Sequence, residues 1–329
     1  MIRAIKQITT ELTFRCNAAC PACHRQKPLS IDLNDKIHTI TLDNFKKLFY
    51  PELLNNLEWL ILNGNFGDSI MNKHFREIIK YVKLHGTRIL IHTNGGVHNT
   101  DYWTDVGNIL TKHDIINFDL DGLQDTHSKY RVNTDFSKVL ANACAVIATK
   151  RAKVHWKYIV FEHNKHQVDE ARAMAIKLGF NTFSTVKTSR DTFAPTSGSF
   201  IHSKKTEEYE KAERKIHCVW DTYNKWYISP EGLVFRCCWT GGHYYDESNT
   251  RFYYPPNFEE LFNGFKVPIE QILNYSYWDK LRNFLQGYER SFKLCKSQCG
   301  KIVSSIEKLE ENLDNNTVNY IDVSNQSDN

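Results

Sequence analysis

The chain has 329 residues, 41% of them hydrophobic and 24% charged, an ordinary globular balance with room for a large core and an appended module. The 42 Lys and Arg exceed the 38 Asp and Glu by only four, and no long basic run occurs, so nothing in the composition marks a nucleic-acid partner. No apolar stretch approaches membrane-spanning length and no leader pattern is seen, which predicts a cytoplasmic protein, away from membranes, with reduced thiols.

In chain order, six β-rich runs are predicted at 8–14 ("ITTELTF"), 57–63, 88–93, 115–120, 154–161 and 183–187. Amphipathic helical segments separate them. "KHFREIIKYVKLHG" sets Phe75, Ile78, Ile79 and Val82 on one face with Gly86 as the stop, and "QVDEARAMAIKLGF" repeats the design up to Gly179. This alternation predicts parallel β/α architecture over 1–190, and periodicity leaves a partial barrel and an open doubly wound sheet both possible. Residues 191–215 read as a polar linker with a charged helix. Beyond it, Trp226–Ser229 and Leu233–Cys237 read as a hairpin turning on Pro230, Glu231 and Gly232. Short helices are expected at "FEELFN" and "YWDKLRNFLQG" and a last one at "IVSSIEKLEENL", with 314–329 a disordered tail.

The polar and glycine-bearing clusters all fall just past a predicted strand: "NGNFGD" (63–68), "TNGG" (93–96), "DLDG" (119–122), "EHN" (162–164) and "KTSR" (187–190). In parallel β/α folds such loops meet on one face, where sites are built. The first strand is followed by "FRCNAACPACHR", which spaces Cys16, Cys20 and Cys23 as C-x3-C-x2-C.

Nine cysteines in a reducing compartment point to metal rather than disulfides. Three thiolates on one loop suit an iron–sulfur cluster or zinc. Structural zinc wants a fourth protein ligand, and His24 is a poor one because adjacent side chains diverge. A cubane held by three thiolates leaves one iron open to an outside ligand. Cys20 to His24 also spells the haem c attachment signature, but that reading leaves Cys16 unused and lacks an export signal. Cys144, in an apolar helical pattern, reads as a core residue.

On these residues the chain resembles the radical S-adenosylmethionine (SAM) superfamily. The resemblance covers roughly 8–190 and implies an α/β fold, a partial (β/α)6 TIM-like barrel. It implies that Cys16, Cys20 and Cys23 hold a [4Fe–4S] cluster whose remaining iron is chelated by SAM. Gly64, Asn65 and Asp68 stand where the family's Gly-Gly-Glu-Pro motif binds the methionine amino group, and Asn94 lies in the next loop. Asp119 and Asp121 stand at the strand-four motif that contacts ribose, and Arg131 is expected at the SAM carboxylate. Ala22 occupies a position that is usually aromatic, so adenine is expected to lean on other groups, the "EHN" loop among them.

The second cysteine group resembles the SPASM extension or its shortened form, twitch, since Cys218, Gly232 and Cys237 fit C-x13-G-x4-C and Cys295 and Cys299 give C-x3-C. Five cysteines remain here, too few for two clusters, so one auxiliary [4Fe–4S] cluster on Cys218, Cys237, Cys295 and Cys299 is expected, in a domain over 216–313. Cys238 is an alternative to Cys237, and structural zinc an alternative occupant. The resemblance implies an enzyme that cleaves SAM and abstracts hydrogen from a peptide or small molecule, with a flavodoxin or ferredoxin type donor. The rival reading is a non-catalytic electron carrier or scaffold.

Overall fold

The computed structural model describes residues 5–187, 214–216, 218, 220, 224–246, 254–280, 295, 300–302 and 321–322. The predicted strands appear as β1 (Gln7–Thr10), β2 (Trp59–Leu62), β3 (Arg88–Thr93), β4 (Ile115–Asp119), β5 (Lys153–Val160) and β6 (Thr182–Lys187). Each pairs parallel with the next in sequence order. This is the mostly parallel α/β sheet expected of a partial TIM-like barrel. β1 is shorter than predicted: Glu11 to Phe14 leave the ladder, and Thr13 bridges Thr39 instead.

Between the strands lie α1 (Leu42–Leu48), α2 (Pro51–Asn56), α3 (Phe75–Leu84), α4 (Thr100–Ile109), α5 (His127–Tyr130), α6 (Phe136–Ala148) and α7 (Val168–Leu178). Their starts carry the side-chain caps that local chemistry favours. Thr41, Asn99 and Asp135 accept backbone N–H groups at the first turns of α1, α4 and α6. The four apolar residues predicted for α3 are all buried, worth about 1.5–3 kcal/mol each in transfer terms. Gly179, at φ 83°, closes α7 in the left-handed conformation that favours glycine.

Side chains of Phe118 and Trp156 point outward into this helical layer, meeting Trp103 of α4 and Phe136 of α6. By strand alternation, Asn117, Asp119, His155 and Lys157 face the barrel interior.

Two short strands, β7 (Arg214–Ile216) and β10 (Gly300–Ile302), form an antiparallel pair. The expected hairpin is β8 (Lys225–Ile228) with β9 (Val234–Phe235), turning through Gly232 at φ 83°. Its position is new relative to the sequence reading: β8 pairs parallel with β1, from Gln7–Lys225 to Thr10–Ile228, and so continues the barrel sheet. Ile321–Asp322 (β11), within the stretch expected as a tail, pairs antiparallel with β6. Among the described residues, β9 is followed by α8 (Cys238–Tyr244), α9 (Phe258–Leu261) and α10 (Ile269–Leu273), and residues 276–280 are helical where the helix over "YWDKLRNFLQG" was expected. Most of the predicted linker, the last predicted helix and most of the tail lie outside the described residues. No described helix is long and apolar enough to cross a membrane.

Candidate active site

The chain leaves β1 at its C-terminal end and lays the first cysteine loop across the barrel mouth. Ala19 N–H donates to Val132 O at 2.9 Å, fixing the loop to the segment after β4, and Cys23 N–H closes a turn on Cys20 O at 3.0 Å. Cys20 is 7% exposed and packs with Ala18, Tyr130 and Phe161, while Cys16, Ala22 and Cys23 lie against the same cluster. Burial pushes the Cys16 thiol up to about 12, with Asp68 and Cys20 adding to the rise. Burial also raises Cys20, which Arg131 opposes.

Among the described residues no three His, Cys, Asp or Glu side chains stand at single-ion spacing. The fit to an iron–sulfur cube rests on donor chemistry: three soft ligands on one short, half-buried loop, with Arg25 favouring the ionised form of Cys16 and Arg131 that of Cys20.

The loop after β2 is wrapped around a carboxylate that sequence reasoning did not single out. Glu11, 1% exposed, accepts the backbone N–H groups of Asn65 (2.6 Å), Phe66 (3.1 Å) and Gly67 (3.0 Å), and the Tyr227 hydroxyl. Burial lifts Glu11 to about 7 against the pull of these donors. The glycines are required by crowding: a Cβ on Gly64 would stand 2.2 Å from Gly67 O, and one on Gly67 1.8 Å from Thr13 O. Arg25 clamps this loop to the cysteine loop, donating to Phe14 O and, at 2.6 Å, to Phe66 O.

Of the expected SAM-binding residues, Asp68 is turned inward. Its oxygens accept from Thr93 Oγ1 (2.9 Å), Asn94 N (2.8 Å) and Ile70 N (3.3 Å), and burial raises it to about 6. Its visible work is to tie the second loop to the third. Asn94 donates through Nδ2 to Cys16 Sγ at 3.5 Å and to Asn17 Oδ1 at 3.0 Å, which ties the third loop to the cysteines. Asn65 meets the cysteines from the other side, its carbonyl accepting from Cys23 Sγ at 3.9 Å.

Arg131 is held by both aspartates of the fourth loop, through Nη2 to Asp119 at 3.2 Å and Nε to Asp121 at 2.6 Å. Burial pushes Asp121 up; at Asp119 the neighbouring Arg131, Lys157 and His92 outweigh burial and hold the carboxyl low. The second oxygen of Asp119 is buried without a hydrogen-bond partner among the described residues, as is Asn117 Oδ1 below it. A buried acceptor of this kind suits a hydroxyl-bearing ligand. In the "EHN" loop, Asn164 is spent on backbone contacts with Phe161 and Ile159, while the His163 ring stacks on Phe161 with centroids 5.3 Å apart.

In the second group, Cys237 caps α8, accepting Thr240 N–H at 3.4 Å, and its pKa is raised by burial and further by Cys218 nearby. Burial raises Cys238 as well, with Cys237 and then Glu11 adding to the rise. Cys295 is described and Cys299 lies outside the described residues. α8 and the residue after it dock on the loop after β2 and on the first cysteine loop with the stretch that follows it: Asn65 Nδ2 donates to Cys238 O at 2.7 Å, His24 Nε2 to Gly242 O at 3.0 Å, and Ser30 N to Tyr245 O at 2.8 Å.

No family model matches the chain. A curated relative, the tungsten-containing aldehyde ferredoxin oxidoreductase cofactor-modifying protein of Pyrococcus furiosus, is 23% identical over 184 residues. The match covers 53% of this chain and 49% of that protein, so the chain spans about half the length of the relative. Among solved structures, SuiB of Streptococcus suis bound to S-adenosylmethionine superposes with a TM-score of 0.59 at 12% identity, over 85% of this chain and 68% of that one. SuiB bound to its precursor peptide SuiA gives 0.54 at 12% identity, over 83% and 68%. The anSMEcpe structure with bound AdoMet and Kp18Cys peptide gives 0.57 at 13% identity, over 89% of both chains. At these identities the likeness establishes the fold.

Proposed function

We propose that the chain is a radical SAM enzyme that binds a [4Fe–4S] cluster on Cys16, Cys20 and Cys23, cleaves SAM, and abstracts a hydrogen atom from a substrate. The carrying observation is the mouth itself: Cys16 and Cys23 lie against the buried cluster that holds Cys20, and Asn94, Asn65 and Arg131 reach them from the loops after β3, β2 and β4. When bound, the cluster supplies a low-potential electron to the SAM sulfonium and so releases a 5′-deoxyadenosyl radical.

The chain's own residues bind, orient and exclude. The 64–67 backbone, drawn tight around Glu11 and set beside Cys23, would seat the SAM amino group. The unpartnered Asp119 oxygen would accept a ribose hydroxyl, while Arg131, paired with Asp119 and Asp121, offsets part of their charge where the SAM carboxylate would approach. His92, Asn117, His155 and Lys157 line the interior below, so the substrate group that enters there is polar.

A peptide substrate is favoured by the likeness to SuiB with SuiA and anSMEcpe with Kp18Cys, whose folds this chain shares. A small-molecule dehydrogenase is the second reading, favoured by the polar barrel interior. An auxiliary [4Fe–4S] cluster on Cys218, Cys237, Cys295 and Cys299 would take the second electron of a substrate oxidation, with Cys238 the alternative to Cys237 as a ligand. The donor would be a flavodoxin or ferredoxin in the cytoplasm.

Anaerobic reconstitution with iron and sulfide, then dithionite and SAM, tests the reading. Formation of 5′-deoxyadenosine that is lost in Cys16→Ala, Cys20→Ala and Cys23→Ala supports it; a protein that stays inert toward SAM refutes it. About eight iron atoms per chain would indicate two cubes, and about four together with zinc a structural second site.

A further inference from the structure

Glu11 is a carboxylate with almost no access to water, and a buried charge is tolerated only where donors converge on it. Here three consecutive backbone N–H groups, from Asn65, Phe66 and Gly67, point at one side chain. Such a run of N–H groups is a ready anion cradle, and in this chain an internal anion fills it. The enclosure is tight: a Cβ on Gly64 would lie 2.8 Å from Glu11 Oε2. The loop's path therefore follows the carboxylate.

The fourth donor comes from far along the chain. Tyr227, on β8, is separated from Glu11 by 216 positions and is fully buried. Its ring lies under α8 so closely that a Cβ on Gly241 would come within 2.3 Å of it. One hydroxyl thus connects the helix that Cys237 caps with the carboxylate that shapes the loop after β2. The same loop touches Cys23 through Asn65 O and Cys238 through Asn65 Nδ2.

We infer that Glu11 is a positioning residue for SAM: its carboxylate sets the 64–67 backbone, and Tyr227 makes that setting depend on the docking of the C-terminal segment onto the barrel. The inference rests on the proposed function, since it takes the 64–67 loop as the seat of the SAM amino group. Glu11 reaches SAM only through that backbone. The C-terminal segment is thereby a part of the SAM site rather than an attachment to it.

The test uses the full chain with its clusters reconstituted. Glu11→Gln keeps the shape but sets an amide N–H₂ against N–H donors. We expect it to weaken SAM about tenfold or more in Kd, and in KM for uncoupled cleavage, with kcat at saturating SAM within about threefold. Amide exchange across 64–68, followed by mass spectrometry without SAM, is expected to accelerate about tenfold while the rest of the barrel holds. Tyr227→Phe, which removes only the hydroxyl, is expected to move both readouts in the same direction by about threefold, and to add nothing on top of Glu11→Gln.

Unchanged SAM affinity and exchange in Glu11→Gln would overturn the inference, as would faster exchange spread over the whole barrel. Independent, additive effects of the two substitutions would overturn the coupling. If Glu11→Gln fails to fold, Tyr227→Phe decides on the same two readouts. Should wild-type holoenzyme ignore SAM, the proposed function falls, while exchange at 64–68 still reports whether Glu11 governs the loop.

Discussion

The two cysteine groups pose opposite structural problems. Cys16, Cys20 and Cys23 sit within one short loop, so a few local bonds and one buried patch bring them together. The second group is spread in sequence from Cys218 to Cys299; among its described members Cys237 is set by its own element, as the cap of α8, while Cys218 and Cys295 lie on distant segments. A contiguous ligand set is held by local folding, a dispersed one by tertiary structure. The first group should therefore tolerate damage elsewhere, and the second should be sensitive to it.

The sharpest way to break this contrast is to remove one ligand from each set. Cys16→Ala is expected to abolish 5′-deoxyadenosine formation, whereas Cys237→Ala should lose about four iron atoms per chain and keep uncoupled SAM cleavage. Equal losses in both variants would show the two groups to be one functional unit. Next in size is Arg131→Met, which strands Asp119 and Asp121 beside the first group. Loss of one partner from a buried ion pair costs about 3–5 kcal/mol, and urea unfolding of the metal-free chain would read it.

A smaller effect concerns His127, buried in the fourth loop between Asp121 N and Thr134 Oγ1. Burial, aided by Arg131, lowers it from 6.5 to about 3, so the unfolded chain takes up a proton before the folded one does. Stability from this group is complete above pH 6.5 and falls as pH drops from 6.5 toward about 3, by up to ~1.4 kcal/mol per pH unit. His127→Gln should flatten the acid side of the melting profile by that slope. The smallest expected change is Cys238→Ser, which leaves iron content as in the wild type; a loss of iron would move the second site from Cys237 to its neighbour.

Much of the barrel was legible because its signals are local. Strand and helix periods alternate cleanly, and the predicted bounds of β3, 88–93, are those observed. The site loops were legible by position, past the ends of the strands. What escaped the sequence were partnerships made across the fold. Glu11, in "ITTELTF", looks like the polar member of an alternating strand, and nothing nearby announces three N–H groups from the loop after β2. The one available hint was a lone acidic residue among threonines, at the point where strand becomes site. Asp68 and Arg131 were expected to meet SAM, and the structure gives both of them protein partners that the sequence did not announce. Sequence gives the donor groups at a site and leaves open which acceptors reach them first.

The parallel pairing of β8 with β1 has a practical consequence for anyone cutting the chain. A fragment ending near residue 187 would strip the neighbour from Gln7–Thr10, leaving a bare row of N–H and C=O groups on the strand that launches the cysteine loop. Such an open flank recruits other copies, so the isolated barrel would be sticky and short-lived in solution. The far end of this polypeptide serves as a seal for its beginning.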